Sequence, residues 1–289
     1  MKILFVGVFD TERKSTNTSQ LVSFKRLGHE VVGYNYRDKG LLIGARLRDQ
    51  HLAHMVKKDN FNLVVYSKCN EISEETFEEI NKHAKTCLWF MDPLTTYDEE
   101  MRNKTDLVDY FCCDKKNVLE EAKLINKNAF HVCEGFDQDV DKPQEVEKEY
   151  DVSFIGNVYG ERSALLRQIK PGVKIISNVY GTQHALEVSK SKINLNFCTA
   201  NGASDRIYKI LAAKGFLLSN DWHGREKDLI DGVDCVVFDD VKDLNRKISF
   251  FLKNPDLLHK IANNGYKSIQ KFNRLNWAKR IIEIYESTK

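Results

Sequence analysis

Residues 199–221 read TANGASDRIYKILAAKGFLLSND. The order is a loop of small residues, a helix, a glycine and a strand. Ser204 is a good N-cap, because its hydroxyl accepts a backbone N–H of the first turn, and Asp205 suits the positive end of the helix dipole. Ile207, Ile210 and Leu211 fall on one face, spaced to lie on a sheet. Gly215 is expected to end the helix, and GFLLS to begin the next strand. Arg206 and Lys209 sit just behind the loop Asn201-Gly202-Ala203. A helix N-terminus with exposed N–H groups binds anions. An arginine grips two oxygens at once, and a lysine one turn on adds a point charge. The arrangement suits a phosphate or diphosphate. As plain surface charges, one of the two cations would instead pair with Asp205, and the residues alone leave both readings open.

The same unit recurs along the chain. Apolar, β-rich runs occupy 2–9, 30–36, 63–67, 86–91, 107–113 and 129–133, and then 151–156, 173–177, 192–197, 215–219 and 234–238. Between them, 17–27, 41–58, 73–84 and 115–125 carry apolar residues at helical spacing. Strands alternating with helices imply parallel sheets with helices on both faces. Strands that are apolar almost throughout fit sheets covered on both sides. The polar run DQDVDKPQEVEKEY, residues 137–150, is the expected linker. The fold class is therefore α/β, with two doubly wound Rossmann-like domains, 1–145 and 146–272. The last 50 residues read as three helices. Ligands of such sheets bind at strand C-termini, and the cleft between two domains is the natural site.

Composition narrows the classes. The chain has 289 residues, 42% hydrophobic and 30% charged, as a globular protein does. No apolar run approaches the roughly 18 residues a membrane helix needs. MKILFVGVFD is too short an apolar core for a signal peptide and reads as a buried strand, so a cytoplasmic location is expected. The seven cysteines are odd in number and lack C-x-x-C spacing, which argues against zinc or a disulfide framework. His51 and His54 in HLAH have no third ligand nearby, and no metal site is expected. Residues 1–58 hold 11 Lys+Arg against 5 Asp+Glu. Nucleic acid is therefore one candidate partner, provided these charges form one face.

A second element resembles the first. DVSFIGNVYGERSALL runs strand, Gly156-Asn157 turn, helix. A glycine after the first strand of a domain allows close backbone approach to a ligand. Arg162, in the first turn of the helix, is placed to point into the same cleft. Neither G-x-G-x-x-G nor G-x-x-x-x-G-K-[ST] occurs, which lowers oxidoreductase and P-loop readings. Asp92, at a strand end in FMDP, is the candidate base on the N-terminal side, with Asp10 second. Arg13 and Lys14 are placed with Asp10 as acceptor-side residues.

DVSFIGNVYGER, SDRIYKILAAKGFLLSND and DLIDGVDCVVFDDVKDLNRKISFFLKNPDLLHKIANNGY together resemble the C-terminal domain of GT-B glycosyltransferases, especially the CgeB/YkvP-like group. FMDP at 90–93 and EGFD at 134–137 match the family more loosely. The resemblance implies that the final helix, 273–289, crosses back onto the N-terminal domain. It also implies a nucleotide-diphosphate sugar, UDP-sugar favoured, as co-substrate with no cofactor, and metal-independent transfer with retention. Retaining relatives carry E-x7-E, and those positions here are Asn201 and Lys209. Arg206 matches an arginine of the group for which a phosphate role is implied. Gly202, Ala203 and Ser204 would present N–H groups to the ligand, and Asn178 and Tyr180 would contact the base. The acceptor and oligomeric state are left open, with a modified DNA base among the acceptors. The competing readings are a nucleotide-sugar-binding protein without turnover and a nucleotide-sugar epimerase using groups such as His131, Glu134 and His223.

Overall fold

The computed structural model describes residues 1–10, 15–160 and 162–287. The chain divides into two compact units, residues 1–134 with 274–289, and residues 135–273.

The first unit holds β1 (Lys2–Gly7), α1 (Thr16–Arg26), β2 (Glu30–Asn35), α2 (Tyr36–Ile43), α3 (Ala45–Asp59), β3 (Leu63–Ser67), α4 (Glu74–Asn81), β4 (Lys85–Phe90), α5 (Glu99–Leu107), β5 (Tyr110–Cys113), α6 (Lys116–Ala122) and β6 (Ala129–His131). Its six strands run parallel in the order β2-β1-β3-β4-β5-β6. The order reverses between β1 and β3.

Alternation along each strand divides the core. Ile3, Phe5, Leu63, Val65, Cys87 and Trp89 face one side. Leu4, Val6, Val64, Tyr66, Leu88 and Phe90 face the other. Both sides are dry, which is why these strands read as continuous apolar runs. Five of the seven cysteines, Cys69, Cys87, Cys112, Cys113 and Cys235, are buried, and all seven are free.

Two of the departures from the sequence pattern have a plain physical cause. The helix expected over 41–58 is two helices, because Gly44 takes φ 83° between them. That conformation costs an L-residue energy and costs glycine almost none. The strand expected from 107 begins at Tyr110, because Asp98 caps a helix that runs to Leu107.

The second unit holds β7 (Tyr150–Ile155), α7 (Arg162–Leu166), β8 (Lys174–Ile176), α8 (Gly181–Lys190), β9 (Ser191–Asn196), α9 (Asp205–Ala212), β10 (Leu217–Asn220), β11 (Val236–Phe238), α10 (Val241–Lys253) and α11 (Pro255–Ile269). The parallel order is β11-β10-β9-β7-β8, reversing between β7 and β9. One face is apolar, with Phe154, Leu195, Leu218 and Val236 packed among Leu166, Leu244, Ile248 and Ile261. The alternate positions Ser153, Asn194, Asn196 and Ser219 are polar yet almost fully buried. They satisfy one another and the backbone: Ser153 bonds Asn194 at 3.3 Å, and Asn196 Nδ2 donates to Ser219 Oγ at 3.0 Å.

The last helix, α12 (Arg274–Ser287), belongs to the first unit. Trp277 meets Phe5, Phe24 and Trp89 edge-on, with centroids 5.3–6.2 Å apart. Buried Arg274 donates to the Glu134 carbonyl, tying the two points where the chain leaves and re-enters this unit. Among the described residues no helix is long and apolar enough to cross a membrane.

Candidate functional site

In the second unit the strand order reverses between β7 and β9, so the two crossovers part there and leave a crevice at the strand C-termini. Gly156 follows β7 with φ 150°. The loop after β9 runs from Phe197 to Ser204. Ser204 caps α9 as its sequence implied, its hydroxyl accepting the Arg206 N–H at 3.2 Å. Ile207, Ile210 and Leu211 are buried, as the helical spacing required. The helix ends one residue earlier than expected. Lys214 takes the left-handed conformation (φ 60°), and Gly215 is instead needed for space, since a Cβ there would lie 2.6 Å from Val188 Cγ1.

Arg206 projects back from α9 over the sheet. Its Nη1 donates to Asn196 Oδ1 at 2.9 Å, and its guanidinium carbon lies 5.0 Å from the centroid of Phe154. It fits because Gly156 has no side chain: a Cβ there would lie 2.6 Å from Arg206 Nη2. Arg162 reaches the same corner from α7. Its Nη2 donates to the Phe197 carbonyl (3.1 Å) and to Thr199 Oγ1 (3.0 Å), and its guanidinium lies 4.3 Å from the Tyr159 centroid. The guanidinium carbons of both arginines lie within 6 Å of the Phe154 ring, at 5.0 and 5.9 Å. Neither is ion-paired with a described carboxylate. Burial lowers the Arg206 pKa, Asp205 opposes this and Arg162 adds to it. Two cations close together, held by neutral oxygens, make a site that lacks an anion.

The other expected residues are placed as follows. Lys209 Nζ lies 2.6 Å from Asp205 Oδ2, so that pair is formed along the helix. Of the three N–H groups expected to face a ligand, that of Gly202 is bonded to the Thr199 carbonyl at 3.0 Å. Asn201 is exposed with φ 56°, and its carbonyl accepts the His223 N–H. Asn157 accepts from Arg162 through its carbonyl. Asn178 and Tyr180, in the turn between β8 and α8, are both exposed. A cavity of about 440 Å³ opens beside Arg162, which lines it with Tyr159, Phe197, Cys198, Asn220 and Asp239 among others; Arg206 is not part of its lining.

In the first unit, Asp92 follows β4 and its carboxylate is ion-paired with Lys68. Asp10 accepts the N–H of Ser15, the residue that caps α1. Arg13 and Lys14 lie outside the described residues. Two described cations of the basic stretch 1–58 are closed locally. Arg48 is buried against Asp49 (2.7 Å), and Arg37 pairs with Glu71 (2.9 Å). Glu134 is buried against Arg274, half-buried His131 lies 3.1 Å from the Asp114 carbonyl, and His223 lies in the second unit.

Sequence reasoning missed Asn196, Thr199 and His184. The first had a signal: SKINLN places asparagines at alternate positions of an apolar strand. His184, on α8, is buried with Nδ1 unpartnered, and burial, with Lys209 and Arg206, lowers its pKa to about 3.

Comparison with known proteins bears on the family and the fold. A family model described as glycosyl transferase-like matches residues 141–286. No curated protein matches the chain. Among solved structures, Anabaena Alr3699/HepE in complex with UDP-glucose superposes with a TM-score of 0.73 at 10% identity, covering 99% of this chain and 100% of that one. A glycosyltransferase from Rickettsia africae gives 0.70 at 13% identity, covering 99% and 98%. Sucrose-phosphate synthase from Thermosynechococcus elongatus gives 0.72 at 10%, covering 99% and 98%. At these identities the likeness is one of fold, and that fold is GT-B. The family match spans half of the chain and includes both arginines, and the chain belongs to the glycosyl transferase-like family.

Proposed function

We propose that the protein moves a sugar from a nucleotide-diphosphate sugar, with UDP-sugar favoured, to an acceptor hydroxyl, as a member of the CgeB/YkvP-like group. One observation carries the reading. Arg162 and Arg206 converge at the β7/β9 crevice, each held by neutral oxygens and neither paired with a described carboxylate. A diphosphate supplies the missing charge. The Anabaena protein is described in complexes with UDP and with UDP-glucose, which makes uridine the base to test first.

In the reaction the bond between the anomeric carbon and the β-phosphate oxygen breaks, and the sugar becomes oxocarbenium-like. Negative charge builds on the departing diphosphate, where the two guanidiniums stabilise it more in the transition state than in the bound donor. They supply the neutralisation that a divalent ion gives elsewhere, so transfer is expected to survive EDTA. The acceptor oxygen attacks the anomeric carbon, its proton passing to a base. Asp92 is our candidate for that base, with retention of configuration carried over from the family resemblance. Acceptors to be tried include modified DNA bases, proteins, glycans and small molecules.

A second reading is favoured by Asn201 and Lys209, which stand where retaining relatives carry carboxylates: nucleotide-sugar binding without turnover. The test is a thermal-shift screen with UDP, GDP, ADP, CMP and their common sugars, followed by assay for released nucleotide. A ligand at 100 times its Kd stabilises the fold by about 2.7 kcal/mol. A shift with UDP that is lost in Arg206→Ala supports the site. Binding without nucleotide release favours the second reading. No shift with any of them overturns the donor site.

A further inference from the structure

Arg206 is held by an amide, and that choice has a consequence. A guanidinium only donates hydrogen bonds, so the Asn196 atom 2.9 Å from Arg206 Nη1 must be the carbonyl oxygen. The amide nitrogen then points the other way, to Ser219 Oγ at 3.0 Å and Cys198 Sγ at 3.3 Å. The Ser219 hydroxyl in turn bonds the Asn220 carbonyl at 2.8 Å. Asn196 and Ser219 are both fully buried. The amide therefore has one satisfied orientation, and in it the oxygen faces the arginine.

Aspartate has nearly the same shape and would hold the guanidinium more strongly, since a charge-assisted bond exceeds a neutral one. It would also cancel the charge, leaving the ligand little to neutralise. Asparagine fixes the position of Arg206 and leaves its charge whole. Arg162 follows the same rule, held by a carbonyl and a hydroxyl rather than a carboxylate. We infer that Asn196 is a positioning residue for the anion site, and that the neutrality of its side chain, not only its hydrogen bond, sets the affinity for the diphosphate. The inference rests on the reading of Arg206 as a diphosphate ligand.

The experiment compares wild type with Asn196→Asp, Asn196→Ala and Arg206→Ala. UDP and inorganic pyrophosphate binding are measured by calorimetry, and melting temperature without ligand is recorded. Asn196→Asp is expected to melt at or above the wild-type temperature, because the ion pair gained by the partly buried arginine offsets the lost Nδ2 donor, and the Ser219 hydroxyl can turn to donate in its place. It is also expected to lose at least tenfold in affinity for both ligands. A purely structural role moves stability and affinity in the same direction, so opposite signs mark the electrostatic one. Asn196→Ala removes the anchor without adding charge and is expected to lose three- to fivefold. If Asn196→Asp binds as wild type does, or if Asn196→Ala loses as much as Asn196→Asp, the inference is overturned. Should Asn196→Asp fail to fold, Asn196→Ala decides alone: no change, or a loss as complete as that of Arg206→Ala, overturns it. If Arg206→Ala binds UDP normally, the diphosphate reading itself fails, separately from the role of Asn196.

Discussion

The two units share a doubly wound topology and differ in what they do with cations at the carboxyl ends of their strands. In the first, Lys68 after β3 pairs with Asp92 after β4, and Lys115 after β5 sits 2.6 Å from Asp114. In the second, Arg162 and Arg206 meet amide, hydroxyl and carbonyl oxygens. Among the described residues, Lys68 and Lys115 of the first unit are thus closed by carboxylates, and Arg162 and Arg206 of the second are not. An unbalanced charge costs free energy in the free protein, and a site that keeps it is organised for a charge that arrives later. Fold alone does not locate a ligand, and the difference in charge closure is the ground on which the diphosphate is proposed at the second unit.

The largest test of this contrast is removal of one cation from each unit. Arg206→Ala is expected to lower kcat/KM for transfer by about 10²–10³, the magnitude found when a preorganised donor to developing charge is deleted. Lys68→Ala removes a charge that Asp92 already closes, and should leave UDP affinity within about threefold, as an interaction of well under 1 kcal/mol would. Calorimetry with UDP on both variants checks this, with a nucleotide-release assay on Arg206→Ala alone, because Lys68 touches the candidate base Asp92. Equal losses in the two would erase the distinction between the units.

Gly156→Ala attacks the site without touching a charge. The added Cβ would come 2.6 Å from Arg206 Nη2, and φ 150° is strained for any L side chain. A loss of about 10–100-fold in UDP affinity is expected, together with about 1–3 kcal/mol of stability from the strained backbone. Restoration of binding by added salt or ligand alone would speak against displacement of the arginine.

The glycine also shows what was legible beforehand. Its place after the first strand of a domain is a sequence signal with a steric meaning, and so are the Ser204 cap and the apolar face of α9. The strands of the first unit were legible because both of their faces are dry. The partners of the arginines were not. Which oxygen meets Arg206 depends on the register that sets Asn196 beside Ser219 and on a loop that returns Thr199 to Arg162. Sequence distance carries no trace of either contact. Gly44 was passed over because the apolar spacing on its two sides keeps one helical phase.

A smaller effect separates the units by pH. His184 lies in the second unit beside α9, where burial first, and then Lys209, lower its pKa from 6.5 to about 3. The folded state keeps the ring neutral while the unfolded chain takes up a proton below pH 6.5. Stability from this group is therefore present above pH 6.5 and lost as pH falls toward 3. Between pH 6.5 and 5 the loss amounts to about 2 kcal/mol. His184→Gln, which cannot titrate, should flatten that part of the acid dependence in denaturant unfolding at several pH values. An unchanged slope would mean that the ring is reached by solvent.

The smallest expected effect belongs to Lys209, and it sharpens the comparison most narrowly. Lys209 lies in the second unit, one turn from Arg206, yet follows the rule of the first: its ammonium is 2.6 Å from the Asp205 carboxylate. If charge closure decides which cations bind the ligand, proximity is not enough, and Lys209→Ala should weaken UDP binding by less than about threefold. Its stability cost should be about 0.3–0.5 kcal/mol, as for exposed helical pairs spaced by four residues. Asp205→Asn makes the converse test. It keeps the length and polarity of the side chain and removes the carboxylate that faces Lys209. Under the same rule this variant should bind UDP more tightly than wild type, and the gain should vanish in Asp205→Asn/Lys209→Ala. A calorimetric titration of the three proteins checks it. Tighter binding that persists without Lys209 would show that Asp205 repels the ligand directly, and that closure by a neighbour is not what silences the lysine.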